Sequence, residues 1–267
     1  MIALLKKGFK MKYNIVSFNI SKNQELMNLS FDYLKKKKNT ILFLQETDEC
    51  KIPFDATYYS PNKISPVEGM QIAMSEDFGA LDSSLRDSII KCTNHALILP
   101  IGDICLVNVH MPPRSARDNR DFHYLRVIDS IKEKIRSVPA EKIVIGGDFN
   151  ENPFDRMMAL NETWCAKRSL SEMSMSKGHI MSFYNLFWNY LKRPKRRIVS
   201  GTIVAGGSYP MDMAIFDQFI VSENVDLSSI KSFGILEKMC NVVFQQKNLG
   251  HNGFHWPVYL TIEIQEL

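Results

Sequence analysis

Apolar residues are concentrated in short continuous runs along the chain, and most runs end in a polar side chain. An apolar run of about four to eight residues is typical of a strand that is buried on both faces. The strands that this pattern predicts are, in chain order, Tyr13 to Ile20, Thr40 to Glu46, Gly69 to Met74, His95 to Pro100, Asp103 to His110, Lys142 to Asp148, Met213 to Ser222 and Val258 to Ile264.

Helical periodicity occurs between several of these strands. Asn23 to Lys38 has apolar residues on or near one face and four lysines at its C-terminal end, where cations complement the helix dipole. A second helix runs to about Arg136, and Phe154 to Lys167 is also predicted to be helical. Because no Ser-, Gly- or Pro-rich linker divides the chain, we predict one α/β domain over residues 12–267, preceded by an N-terminal extension over residues 1–11.

The strand that ends at Asp148 delivers two side chains with oxygen atoms. Asp148 and Asn150 occupy alternate positions and therefore point the same way. A carboxylate and an amide at a strand end, beside two glycines that allow close approach, suit a hard divalent cation or a phosphate held by one. Asp, Asn, Gly and Pro are also the ordinary turn residues, so this motif alone leaves an Asx-rich turn as an equal alternative.

Other strands end in polar groups in the same way. Glu46 follows a core strand, where a carboxylate is costly unless it is paired, hydrogen-bonded or bound to a metal. Asn19 and His110 also end apolar strands. Taken singly, the first is more often a solvated loop amide and the second a satisfied structural histidine.

Asp217 lies inside an apolar strand, where an unpaired carboxylate would be expensive. His255 precedes the last predicted strand and could be its partner. An aspartate that holds a histidine in one tautomer is a common way to build a general base.

The composition excludes several classes of protein. The chain has 267 residues and is 45% hydrophobic, enough for a sizeable core, but no apolar run reaches the roughly 18 residues needed to span a bilayer. Five cysteines without CxxC spacing argue against a disulfide framework and against a zinc site. We therefore expect a soluble, cytoplasmic protein with no membrane insertion.

Positive charge is mildly in excess, with a net charge of +4, which is compatible with a phosphate-bearing substrate but does not identify one. Basic residues cluster at 114–120, which includes Arg114 and Arg117, and at 192–197. Each cluster could contact a nucleic-acid backbone or could be an ordinary solvated loop, and the sequence leaves both alternatives open.

The order of these polar strand ends resembles the endonuclease/exonuclease/phosphatase superfamily, the magnesium-dependent phosphoesterases that include pancreatic-type DNase I and the abasic-site endonucleases. The resemblance extends from Tyr13 to Ile264. The motifs that carry it are Asn19 at the first strand end, Gln45-Glu46, Val109-His110, Gly147-Asp148-Phe149-Asn150, Phe216-Asp217-Gln218 and His255-Trp256-Pro257-Val258. It implies a four-layer αββα sandwich, in which two mixed β-sheets lie face to face with helices outside.

The resemblance also implies a metal site and a set of phosphate contacts. Glu46 would be the principal ligand of Mg²⁺, with Mn²⁺ as a possible substitute, and Asn19 and Asp148 would lie in the same cleft. Asp148 would position or activate the attacking water, while Asn150 would hold a phosphate oxygen. Asn19 would orient metal-bound water or phosphate.

The remaining implied roles concern proton transfer and substrate binding. His255, oriented by Asp217, would act as a general base or contact the phosphate in the transition state. His110 matches a histidine near the leaving group. Apart from the resemblance, the basic cluster at 114–120 leads us to expect that Arg114 and Arg117 contact the substrate.

One residue departs from the family pattern. The last family motif normally has an aspartate before the histidine, whereas Phe254 occupies that place here, which implies a weakened second cation site. The predicted function is a Mg²⁺-dependent phosphodiester hydrolase, with a nuclease acting on DNA or RNA by in-line water attack as the first choice. A phosphatase or phosphodiesterase for a small phosphorylated molecule and a catalytically degenerate member that binds nucleic acid or protein are the alternatives.

Overall fold

Two large β-sheets dominate the described part of the chain. The computed structural model describes residues 10–52, 69–75, 88–113, 119–174, 181–191, 201–204, 213–244 and 255–265. The strands in these ranges are β1 (Lys10–Asn19), β2 (Thr40–Gln45), β3 (Gln71–Met74), β4 (Ile90–Thr93), β5 (Ala96–Ile101), β6 (Ile104–His110), β7 (Lys142–Asp148), β8 (Ala166–Lys167), β9 (Phe183–Asn185), β10 (Ile203–Val204), β11 (Met213–Ala214), β12 (Asp217–Ser222), β13 (Ile230–Ile235), β14 (Lys238–Met239), β15 (Val242–Val243) and β16 (Val258–Gln265).

The helices are short apart from two. They are α1 (Gln24–Lys36), α2 (Arg120–Arg136), α3 (Arg156–Ala159), α4 (Leu170–Ser174), α5 (Leu186–Leu191) and a 3-10 turn at Leu227–Ser229. Asn23 caps α1, since its side chain accepts hydrogen bonds from Glu25 N at 2.9 Å and Leu26 N at 3.1 Å. No helix among the described residues is long and apolar enough to cross a membrane.

Both large sheets are mixed, as the sequence predicts. The five-stranded sheet has the order β13-β16-β1-β2-β3, and the seven-stranded sheet has the order β4-β5-β6-β7-β12-β9-β8. In the first sheet β1 and β2 are parallel, and in the second β6 and β7 are parallel while β12 runs antiparallel to β7. Lys10 and Met11, the last residues of the predicted N-terminal extension, belong to β1, where they pair with Gln265 and Ile264.

The central strands are apolar on both faces because each face packs on a different core. Leu106 and Val144 lie in the core that contains residues of both sheets. Their neighbours Val107 and Ile145 lie in a second core with the buried side of α2. This double burial explains why the strands have continuous rather than alternating apolar patterns.

The helix predicted at Phe154 to Lys167 is wrong. The structure has only the one-turn helix α3, a loop and the start of β8 in this range. Leu160 ends α3 in an extended conformation, and Cys165 adopts a positive φ of 53°. The apolar residues that suggested a helix, among them Trp164, are instead buried without forming a continuous helical face.

Strand register brings the polar strand ends to one edge of the sandwich. His110 pairs with Asp148 across the parallel strands β6 and β7, and Asp217 pairs with Asp148 across the antiparallel strands β7 and β12. In the other sheet Asn19 pairs with Gln45, the residue before Glu46. Because parallel strands end at the same edge, residues far apart in sequence meet there.

Candidate active site

The candidate site lies where β1, β2, β6 and β7 end and β12 begins. The structure brings together the residues at these strand ends that the sequence analysis singled out, namely Asn19, Glu46, His110, Asp148, Asp217 and His255. Arg114, Arg117, the basic cluster at 192–197 and Phe254 lie outside the described residues.

Asn19 holds the two acidic side chains of the site together. Its amide nitrogen donates to Glu46 Oε1 at 2.9 Å and to Asp148 Oδ2 at 3.0 Å. Its oxygen accepts from the backbone N–H of Ser21 at 3.0 Å, which fixes the orientation of the amide. A carboxamide in this orientation compensates the repulsion between two carboxylates. Asn19 therefore positions Glu46 and Asp148, and its predicted role as a metal ligand stays a prediction.

Asp148 lies between two histidines. Its Oδ2 atom is 4.0 Å from His110 Nε2 and 3.8 Å from His255 Nδ1, and the side chain is almost fully buried. Its other oxygen, Oδ1, accepts from the backbone N–H of Asn150 at 2.8 Å. Asp148 is thus the central acidic group of the site, and each of its two oxygens has a defined neighbour.

Two overlapping groups of side chains could hold a metal ion, and they share Asp148. In the first, Glu46, His110 and Asp148 offer ligand atoms that all lie within 4.8 Å of one another. In the second, the ligand atoms of Asp148, Asp217 and His255 also lie within 4.8 Å of one another. Carboxylate oxygens with an adjacent imidazole suit a divalent cation, and Glu46 is the acid of these groups with the most solvent exposure, with about a third of its side chain accessible. The donor set therefore fits a divalent cation.

Asp217 and His255 form a buried pair. His255 Nδ1 lies 2.7 Å from Asp217 Oδ2. Burial raises the pKa of Asp217 to about 6, although the neighbouring His255 opposes the increase. Burial lowers the pKa of His255, but the carboxylates of Asp217 and Asp148 outweigh this effect and raise the pKa to about 9. The surrounding negative charge therefore favours the cationic imidazolium form of His255.

Asn150 is held by backbone contacts beside Asp148. It adopts a positive φ of 51°, and its side-chain nitrogen donates to the carbonyl of Met111 at 2.8 Å. An amide nitrogen carries two N–H groups, so one remains for a phosphate oxygen. Its predicted role in phosphate binding remains a prediction that this geometry allows.

The two glycines before Asp148 serve strand packing. A Cβ atom on Gly146 would lie 2.2 Å from the ring of Phe219, and one on Gly147 would lie 2.0 Å from the carbonyl oxygen of Val109. Both contacts are far shorter than real Cβ contacts. The glycines therefore allow neighbouring protein groups, rather than a ligand, to approach the backbone.

Sequence reasoning missed the role of Arg120, which it placed in a loop that could face phosphate. Its guanidinium bonds to the buried carboxylate of Glu151 at 2.5 Å and donates to the carbonyls of Pro112, Pro113 and Asn150 at 3.2 to 3.4 Å. Arg120 therefore joins the loop after β6 to the loop after β7. The signal that could have found it is Glu151, an acid next to Asn150 that needs a partner if it is buried.

A polar cluster between the sheets lies directly behind the site and was also missed. Gln45 donates to Ser17 Oγ at 3.1 Å and to Asn108 Oδ1 at 2.6 Å. Asn108 in turn donates to the carbonyl of Leu44 at 3.2 Å and of Gln71 at 3.0 Å. Gln45 lies immediately before Glu46, and Asn108 lies two residues before His110. These polar residues interrupt apolar strands, and this interruption is the signal in the sequence.

Comparisons with known proteins support the fold. No protein-family model matches the chain, and no curated protein matches it. Among solved structures, truncated TDP2 from Caenorhabditis elegans matches with a TM-score of 0.52 and 17% identity, over 95% of this chain and 98% of that chain. The likeness confirms the α/β sandwich of two mixed sheets that the sequence predicts. The chain therefore has a DNase I-like α/β-sandwich fold.

Proposed function

We propose that the protein is a metal-dependent phosphodiesterase that cleaves a nucleic acid. The observation that carries this proposal is the position of Asp148, which belongs to both metal-capable groups and lies between His110 and His255. The fold, which is that of metal-dependent phosphoesterases, supports the same chemistry. The excess of positive charge in the chain supports a polyanionic substrate.

Glu46 and Asp148, with His110 beside them, would hold Mg²⁺ or Mn²⁺, which would neutralise charge on the phosphate. Asp148 would orient the attacking water through a carboxylate oxygen. Asn150 would donate its second amide N–H to a phosphate oxygen. Asn19 would keep the carboxylates of Glu46 and Asp148 in place as charge develops on the phosphate.

The two histidines lie in different surroundings, which suits different roles. His255 is buried and paired with Asp217, and its cationic form is favoured, so it would donate to a phosphate oxygen in the transition state. His110 is more accessible and lies 3.7 Å from Glu46 Oε1, so it would exchange a proton with the leaving oxygen. Both imidazoles lie within 4.0 Å of the same oxygen of Asp148, so both would be close to a phosphate bound beside it.

Hydrolysis assays on purified protein test the proposal directly. Single- and double-stranded DNA and RNA would be incubated with Mg²⁺, with Mn²⁺ and with EDTA, and cation binding would be measured by calorimetry. We expect cleavage of at least one polynucleotide that requires a divalent cation. Absence of cleavage together with absence of cation binding would instead favour the catalytically degenerate alternative.

Glu46→Gln is expected to abolish turnover in Mg²⁺. The substitution keeps the size of the side chain but removes a charged oxygen ligand from the first metal-capable group. Turnover and the calorimetric cation affinity are the measurements, and both should fall. The matched control is Glu49→Gln, an exposed acid three residues away that pairs with Lys22 and should behave as wild type. Full activity of Glu46→Gln would exclude Glu46 as the principal ligand.

His255→Ala is expected to reduce kcat at least about a hundredfold, the usual scale for loss of one hydrogen-bond donor to the transition state. It removes the imidazole that Asp217 holds at 2.7 Å. Steady-state kinetics on the preferred substrate measure the effect. His123→Ala, which removes an exposed histidine on α2 that packs against His95, is the control and should lower kcat far less than His255→Ala. A wild-type kcat for His255→Ala would contradict the mechanism.

A further inference from the structure

Two aromatic rings, Phe154 and Trp188, pack together in the segments that follow β7 and β9. Phe154 is 44% exposed, which is unusual for a large apolar side chain in this structure. Its ring lies 6.2 Å from the ring of the half-buried Trp188, at an interplanar angle of 59°. Phe183 on β9 and Phe187 on α5 are fully buried. The pair therefore presents an accessible aromatic surface that the hydrophobic core does not use.

The loop that carries Phe154 is fixed to the candidate site. Glu151 and Asn152 are both 1% exposed. The carboxylate of Glu151 pairs with Arg120, and its backbone carbonyl accepts from Gln218, the neighbour of Asp217. Asn152 accepts from the backbone N–H of Ile215 at 2.9 Å. The loop is therefore held two residues before Phe154 by contacts to Arg120, Gln218 and Ile215.

The distance from Phe154 to the phosphate-binding candidate is short. Consecutive Cα atoms are about 3.8 Å apart, so the Cα atoms of Asn150 and Phe154 lie within roughly 15 Å. A turn shortens this path, because the backbone N–H of Asp155 donates to the carbonyl of Asn152 at 2.9 Å. Arg156, which is also exposed, follows two residues later. An accessible ring and a cation beside a phosphodiester site are the combination that binds an unpaired base and its backbone.

We propose that Phe154, supported by Trp188, is a stacking surface for an unpaired nucleobase next to the phosphodiester that is cleaved. This inference rests on the proposed function and narrows the substrate to nucleic acid with a single-stranded segment at the site. Stacking needs a π-face and no hydrogen-bond readout, so the surface would accept any of the bases. Specificity would then depend on unpaired structure rather than on sequence.

Equilibrium binding tests the proposal without requiring catalysis. A labelled single-stranded oligonucleotide would be titrated in EDTA, and Kd would be measured by fluorescence anisotropy. We expect Phe154→Ala to raise Kd roughly five- to 150-fold, the range that corresponds to loss of one base–aromatic stack. Phe154→Trp should keep Kd within about threefold of wild type, whereas Phe154→Leu should resemble Phe154→Ala because an apolar side chain without a ring cannot stack. Full binding by Phe154→Leu would overturn the stacking role.

A set of abasic oligonucleotides identifies the base concerned. A single abasic site would be placed at each position of the strand in turn. At one of these positions it should raise the Kd of wild type by about the same factor as Phe154→Ala does. In Phe154→Ala the same abasic position should have no further effect, since both changes remove the same contact. Phe122→Ala is the control, because Phe122 is 63% exposed but lies on α2. Equal weakening by Phe122→Ala, or additive effects of Phe154→Ala and the abasic position, would refute the proposal.

Cleavage assays separate failure of this inference from failure of the proposed function. A fully abasic oligomer contains phosphodiesters without bases, so wild type and Phe154→Ala should cleave it equally with Mg²⁺ or Mn²⁺. If wild type cleaves both the abasic oligomer and the same oligomer with its bases, and Phe154→Ala cleaves the base-containing oligomer as well as wild type does, only the stacking surface is rejected. Cleavage of neither oligomer by wild type would reject the proposed function, and the binding measurements would still decide whether Phe154 stacks on a base.

Discussion

Asp148→Asn is expected to lower kcat about a thousandfold or more. The substitution removes charge from both metal-capable groups at once. It also places an amide N–H₂ or a neutral oxygen opposite the side-chain nitrogen of Asn19, which donates to Asp148 at 3.0 Å. Loss of one positioned acid or base typically costs about 10² to 10⁴ in rate, and loss of cation affinity adds to it.

Steady-state kinetics over a range of Mg²⁺ concentrations measure this effect. The control is Asp103→Asn. Asp103 pairs with Lys142 where β6 and β7 begin, and the site lies where these two strands end. That variant should keep the wild-type kcat. If Asp148→Asn retained more than about a tenth of the activity at saturating Mg²⁺, Asp148 could not be the central acid of the site.

Arg120→Met is expected to lower the free energy of unfolding by roughly 3 to 5 kcal/mol, the usual cost of breaking a buried ion pair from one side. The carboxylate of Glu151, whose side chain is only 2% exposed, would lose the partner that lies at 2.5 Å. The carbonyls of Pro112 and Pro113 would lose a donor as well. Urea denaturation of the metal-free protein measures the change.

Two further variants test the physical reason for this loss. Arg168→Met breaks the exposed pair of Arg168 with Glu172 and should cost less than about 1 kcal/mol, because solvent screens such pairs. The double variant Arg120→Met/Glu151→Leu removes both charges and should recover a large part of the stability lost in Arg120→Met. No recovery would mean that Arg120 acts mainly through its backbone contacts.

The positions of the polar strand ends could be predicted from the sequence for a simple reason. A strand packed on two cores is apolar throughout, so the first ionisable residue after it marks the edge of the sheet. Glu46, His110 and Asp148 were identifiable in this way. Asp217 is the first residue of β12 and does not lie inside one strand from Met213 to Ser222, but its side chain is fully buried. Its pairing with His255 was predictable because a buried carboxylate needs a partner, although 38 residues separate them.

Other features depend on tertiary contacts that leave little trace in local sequence. The amide orientation of Asn19 is set by Ser21 and by two acids from different strands. Arg120 looked like part of a surface loop because its partner, Glu151, reaches it from another loop. The apolar residues before Lys167 satisfied helical periodicity, yet burial beneath a loop determined their conformation.

The two sheets contribute different halves of the site. Asn19, Glu46 and His255 come from the ends of strands in the five-stranded sheet or from the residues flanking them, whereas His110, Asp148 and Asp217 belong to the seven-stranded sheet. A folding intermediate with both sheets formed but not docked would therefore have neither the bridge from Asn19 to Asp148 nor the pair of Asp217 with His255. A cation that binds both halves would favour the docked state by mass action. Assembly of the site is thus thermodynamically linked to closure of the sandwich.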